Sequence, residues 1–517
     1  MKRTSLILYC ILAGFLTSLH AQDTLYIMKK GSIEFRHALS DIDSLSFVNS
    51  FNPSLQERLA KDKRFTLFFQ ALRETGYESF LKNTPKEDTT YNPKNCPWAV
   101  QLYNIKEEIP QKRAFGFTLL MESDSLLASY KACPLCPNGI HNLNDLELMA
   151  EYWYSTAFQG IYSDGNGIVD RKDLKNYLNR YIAYHILDSK LFLSRFINDF
   201  DTPNEVKSFD LDEYKSPLLK NSLMQVKKMR SNGQSNLMNS FNSIDPKAAV
   251  HFTGNTIFGF NGFGHEIDKP LVFSRNVHDY LSSIRLRMDV SSFFKELATN
   301  NMRGNNPNAE NVAGKAHRYL LPPGFCENFS NVTSSKISYL NANGIYEDYE
   351  GDELYVEGKY DFTITTLPIP AGTYEVRFGY QPTAWRGTAQ MYMDGNQCGA
   401  PVNFSLLASN ALIGWEAPGS NSKDPLGLAN DSLLHSRGYM KGPSCYKCFI
   451  GLYYDPTKTA RQSNNSLRKI VGTFTFSEPG VHQFRVQNTG SSGGDVQFML
   501  DYFEFVPVNI LKNEGVD

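Results

Sequence analysis

Tryptophan is scarce, with only 4 in 517 residues, and beyond the N-terminus no apolar run reaches the roughly 18 positions that a membrane-spanning helix needs. The mature chain is therefore expected to be soluble, with no transmembrane segment. An excess of charge is also missing. The 52 basic and 54 acidic residues leave a formal charge of -2, so no global field holds a polyanion and nucleic acid is excluded as a partner. No G-x-S-x-G, H-E-x-x-H, P-loop or dinucleotide fingerprint stands in a convincing context. The paired carboxylates Asp210 with Asp212 and Asp348 with Glu350 read as solvated surface, and no residue takes a catalytic role.

What is present is globular. Hydrophobic residues make up 41% of the chain and charged residues 21%, and the length calls for two to three folding units. The 28 Tyr and 35 Phe point to β-rich packing and to contact surfaces built from Tyr. Residues 1–21 carry a signal-peptide pattern: Lys2 and Arg3, an apolar run from Leu6 to Leu19, then Ala21. Export to the periplasm, the outer surface or the medium follows, and bulky Tyr9 beside Cys10 does not fit a lipid-attachment box. Seven cysteines follow that segment, including Cys133-x-x-Cys136 and Cys445-x-x-Cys448. Such pairs suit a redox site or half of a zinc site, but neither lies in a thioredoxin-like pattern, so disulfides stapling loops or idle thiols are the simpler reading.

Residues 22–52 alternate apolar and polar side chains around Lys29-Lys30-Gly31, a β-hairpin leader. From Leu55 to Leu81 the spacing turns helical, broken at Gly76. Residues 83–114 read as an inserted loop, Phe115–Met121 as a buried strand and Glu122–Leu127 as a turn that caps a helix. Leu174, Leu178, Tyr181, Ile182, His185 and Ile186 predict a helix opening near Asp170, whose carboxylate would cap it and whose apolar face would pack on the strand. Asn261–Leu271 reads as a tight turn entering a strand.

The helices at 61–81, the strand and turn at 118–127, the Tyr184-His185 pair and the closing strand at 261–271 together resemble the fasciclin-like domain. Met121-Glu122-Ser123 replaces the usual Ala-Pro-Thr, and Phe263-Gly264 alters the closing strand. The resemblance implies an α+β domain over 53–273 and a link between Tyr184, His185 and adhesion. A His on an apolar helix face also has a plainer use, as a hydrogen-bonded core residue.

Residues 274–318 read as a connector, and period-two strands with Gly and Pro turns over 319–510 predict an all-β sandwich. The strings Ala371-Gly372-Thr373-Tyr374, Tyr392-Met393-Asp394-Gly395 and Leu500-Asp501-Tyr502 look like the galactose-binding-like jelly roll of many carbohydrate-binding modules. The fold class expected is thus multidomain, α+β followed by all-β. A sugar site needs flat aromatic faces beside planar hydrogen-bonding groups. Tyr380, Trp385, Arg386, Trp415 and Tyr439 fall at or outside strand ends and form the candidate ligand-binding platform; covering the sandwich edge is their alternative use.

Asp164, Asn166, Asp170 and Asp173 resemble a calcium loop of the EF-hand or dockerin kind. Tyr162 stands first, where a carboxylate is expected, and Asp173 is shorter than the bidentate Glu. A turn before a capped helix is simpler, so no cofactor is expected, calcium being the alternative. The function expected is non-enzymatic adhesion or recognition at the cell envelope, toward a glycan or a cell-surface protein. The competing classes are a polysaccharide-acting hydrolase and a purely structural assembly subunit.

Overall fold

The computed structural model describes residues 53–517 apart from 101–105, 194–195, 197–211, 228–236, 240–248, 304–316, 334, 342–347, 451–452, 491–495 and 515–517, together with two strands nearer the N-terminus. Residues 1–21 and Asp210 lie outside the described residues. The chain falls into two units, Met1–Phe51 and Asn52–Asp517. In the first, Thr24–Lys29 pairs antiparallel with Ser32–Ala38, Thr24 opposite Ala38 and Lys29 opposite Ser32, the hairpin that the alternation predicts.

The second unit is β-rich, with several sheets and some helices. Its helices begin as the apolar spacing requires. Leu55–Leu59 opens with a capping box from Ser54 and Glu57, and Thr66–Glu74 and Tyr77–Asn83 follow, separated by Gly76 at φ 87°. They cover a seven-stranded sheet in which Phe117–Met121 lies parallel to Gly262–Ile267. Asn261 ties the two layers together: its Oδ1 accepts from the Leu55 amide at 2.8 Å and its Nδ2 donates to Gln56 and to the Leu81 carbonyl.

The helix expected near Asp170 starts later. It runs Tyr177–Tyr184, capped by Asn176, whose Oδ1 accepts from Leu178 and Asn179. Asp170 instead closes a local turn onto the Lys172 amide, which leaves Leu174 exposed and outside the buried face. From Tyr177 onward the helix is buried and packs on the strand as expected. Its next residues, Ile186–Leu187, join the sheet beside Thr118 and Leu119.

The C-terminal part contains two five-stranded sheets and one six-stranded sheet. Phe378 lies at their centre, its ring meeting those of Phe404, Phe484, Phe498 and Phe503. Two segments from earlier in the chain complete these sheets. Leu286–Asp289 pairs with Tyr502–Pro507, and Lys106–Glu108, within the stretch read as an inserted loop, pairs parallel with His317–Leu320. Among the described residues no helix is long and apolar enough to cross a membrane.

Candidate functional site

Successive side chains of a strand leave opposite faces. In Asp352–Glu357 this sends Leu354 and Val356 inward and Glu353, Tyr355 and Glu357 to the other side. Tyr355 stands opposite Ser338 and Met499, and Glu357 opposite Lys336 and Gln497. Five strands thus present a connected polar face. The Lys336 ammonium sits 3.1 Å from Glu107 and 3.5 Å from Glu357, and Arg318 lies 3.5 Å from Glu107.

The turn after Gly372–Tyr380 delivers two of the predicted residues to this face. Arg386 bridges to Gln497 in parallel register, the Gln497 amide donates to the Trp385 carbonyl at 3.0 Å, and the Gly387 amide donates to the Gln497 carbonyl. Gly387 packs closely there: a Cβ would meet the Asn488 side chain at 3.0 Å and Val496 at 3.2 Å. Anchored this way, Trp385 stands 68% exposed while Arg386 is buried beside it. The Arg386 guanidinium donates to Gln497 Oε1 at 2.6 Å and to the Gln381 carbonyl at 3.1 Å. Gln497 passes a hydrogen bond to Glu357 at 2.6 Å, and Gln381 one to Asp348 at 2.8 Å. Tyr355 lies between two guanidinium groups, Arg386 at 5.2 Å and Arg318 at 5.5 Å from its ring, and donates to Glu353.

Asp348 and Glu350 correct the expectation of solvated surface: they are 1% and 3% exposed. Burial first, then the neighbouring carboxyl of Glu353, holds Asp348 well above the ordinary carboxyl range; burial also raises Glu353. Glu350 is also pushed up, although Arg303 lies 3.0 Å away. Asp212 is half-buried opposite Lys227.

The other platform candidates sit elsewhere. Tyr380 ends its strand inside the core, its ring against Phe378 and Phe404, and burial drives its hydroxyl well above the ordinary phenol range. Tyr439 is buried on the strand Tyr439–Lys441 beneath the Lys469 ammonium, 4.2 Å from its ring. Trp415 is half-buried against the core, its amide held by the Ala408 carbonyl. Trp385 and Arg386 are therefore the pair that the structure joins. Sequence reasoning missed Tyr355, Glu357, Gln381 and Gln497; the alternation Glu353, Tyr355, Glu357 is the signal that marks a polar sheet face.

Tyr184 and His185 are both fully buried. The Tyr184 hydroxyl donates to the Leu223 carbonyl at 2.9 Å. His185 lies 2.7 Å from Glu122 through Nε2 and 2.7 Å from the Tyr181 carbonyl through Nδ1. Glu122 also accepts from the Tyr181 hydroxyl and the Leu271 amide. Both side chains are used inside the fold, and Glu122 anchors His185.

The four oxygens of the calcium-like loop each have a partner of their own. Asp164 accepts from Arg180 at 2.7 Å, Asn166 from the Tyr177 hydroxyl at 2.8 Å, Asp170 from Lys172 and Asp173 from Lys175. The Arg180 guanidinium also lies 3.9 Å from the Tyr162 ring. Cys133 and Cys136 are buried free thiols, and burial with the neighbouring sulfur pushes Cys136 up to about 12.

No family model matches the chain, and no curated protein matches it. Solved structures similar to parts of it include a Paenibacillus xanthan lyase, at TM-score 0.18 and 15% identity over 32% of this chain and 11% of that one. The catalytic domain of Agl-KA follows at TM-score 0.16 and 11% identity, over 37% of this chain and 28% of that one. An exo-β-1,3-galactanase from Phanerochaete chrysosporium with β-1,3-galactotriose gives TM-score 0.16 and 10% identity, over 59% and 58%. The chain spans between 11% and 58% of the lengths of these structures, and likeness at this level carries neither fold nor chemistry over to it.

Proposed function

We propose that this is an exported, fasciclin-like envelope protein that recognises glycan through the edge of its C-terminal sheets without transforming it. One observation carries the reading: an indole left 68% exposed next to a buried Arg386 that is hydrogen-bonded to half-buried Gln497, which in turn holds Glu357. An exposed aromatic face suits the apolar side of a pyranose, and planar groups fixed in place suit vicinal hydroxyls without an added ordering cost. Lys336, opposite Glu357, extends the polar face along the sheet. A glycan array probed with the wild type and with Trp385→Ala tests this, binding in the first and its loss in the second being the expected result.

A second reading, a polysaccharide-acting hydrolase, is favoured by Asp348 and Glu353, two neighbouring carboxyls that burial pushes above their ordinary range. Release of reducing ends from any polysaccharide by the wild type, abolished in Asp348→Asn, would establish it.

A further inference from the structure

A cavity of about 250 Å³ lies on the opposite side of the molecule's polar strand, bounded by Leu187–Ser189, Leu191, Lys215–Leu218, the Ser291–Lys295 segment, Ala298, Arg303, Asn328 and Leu367. It holds several times the ~30 Å³ share of one water molecule. It reaches solvent at Asp188 and Lys295, whose side chains are 37% and 31% exposed. It is separate from the Trp385 edge. Ser291 on its wall donates to Asp352, and Asp352 leaves its strand on the face opposite Tyr355.

The wall has three kinds of chemistry. Phe293 and Phe294 supply apolar surface; Ser292 and Asn328 supply small polar groups; Lys215, Lys295 and Arg303 supply donors. Each cation is already neutralised: Lys215 by Glu213, Lys295 by Asp188 and Glu327, and Arg303 by Glu213, Glu350 and Asp289. An anion placed here would meet surplus carboxylate, and a cation would meet ammonium and guanidinium groups. These contacts nevertheless leave one N–H without a hydrogen bond among the described residues: Arg303 Nε, on a side chain that is 95% buried, has Asp352 only at 3.9 Å. A neutral polyol answers all of this, with an acceptor for Arg303 Nε, hydroxyls for Asp188 and Asn328, and a C–H face for the phenyl rings.

We infer that this cavity binds one neutral sugar ring, a site independent of the surface at Trp385. The test uses the mature chain and a panel of D-glucose, D-galactose, D-mannose and N-acetyl-D-glucosamine, with D-glucuronate as the charged control. Saturation-transfer NMR and calorimetry read the binding. At least one neutral sugar is expected to bind wild type and Trp385→Ala equally. Ala298→Phe, which fills the cavity, is expected to weaken that binding roughly tenfold or more, and Ser292→Ala, which adds no bulk, several-fold. The inference is overturned if no neutral sugar binds the wild type or if D-glucuronate binds more tightly than all of them. It is also overturned if Trp385→Ala abolishes binding while Ala298→Phe and Ser292→Ala keep it, an outcome that leaves the surface reading intact.

Discussion

The Arg303 guanidinium donates to Glu350 across 3.0 Å and touches Glu213 with the same nitrogen. Glu213 belongs to the strand Asp212–Lys215 of the seven-stranded sheet, and Glu350 precedes the strand Asp352–Glu357. One buried cation therefore neutralises acids brought in by segments that are far apart in sequence.

Removing that cation leaves buried carboxylates without a counter-charge. Arg303→Met is expected to cost about 3–5 kcal/mol, the range seen when one partner of a buried ion pair is deleted. Urea unfolding of the variant against wild type measures it, and a loss under about 1 kcal/mol would show that the pair contributes little.

The same acids give stability a pH dependence. Burial, then the adjacent Asp352, holds Asp289 well above the ordinary carboxyl range; burial, then Glu213, does so for Glu350. A carboxyl raised in the folded state binds its proton more tightly there than in the unfolded chain. Its contribution is complete below the unfolded value of about 4 and is lost as pH rises through the folded value. Unfolding free energy is thus expected to fall from pH 5 toward pH 8, and Asp289→Asn, which keeps an oxygen for the Ser291 amide, is expected to flatten the slope. A wild-type curve that rises through this window would contradict the assignment.

The Tyr184-His185 pair makes a stability prediction rather than a surface one. Tyr184→Phe deletes a buried hydroxyl that donates to the Leu223 carbonyl and accepts from Asn239, and is expected to cost about 1–2 kcal/mol, whereas Glu122→Leu strands His185 and the Tyr181 hydroxyl and is expected to cost about 3–5 kcal/mol. Thermal melts of both variants check this ordering.

Thiol labelling tests the cysteine environment. Burial pushes Cys136 up to about 12 and Cys398 up to about 11, and Cys326 is raised as well. Native protein at pH 7.5 is expected to react with iodoacetamide first at half-buried Cys96 and only slowly at these three. Denaturant should equalise the rates, and mass spectrometry of peptides reads the order.

Local pattern told much of this in advance. The hairpin at Thr24–Ala38, the helices from Leu55 and the strands Gly372–Tyr380 and Tyr502–Pro507 all follow from period and turn residues. What pattern could not show is pairing between distant segments: Lys106–Glu108 looks like polar loop until His317–Leu320 lies beside it. The acids Asp348 and Glu350 look solvated for the same reason, since the arginine and glutamine that receive them, Arg303 and Gln381, lie tens of residues away along the chain. The exposure of Trp385 was legible because an aromatic outside a strand has no obligation to the core. Tyr380 and Tyr439 were not, because a strand end and a short covering strand bury them.

The central claim is that the exposed indole at position 385 makes the contact. The direct measurement is glycan-array binding of wild type, Trp385→Ala and Tyr184→Phe, with melting temperatures taken alongside. The account predicts binding by wild type and Tyr184→Phe, and a loss of roughly tenfold or more in Trp385→Ala at a stability within about 0.5 kcal/mol of wild type. Wild-type binding by Trp385→Ala would contradict it.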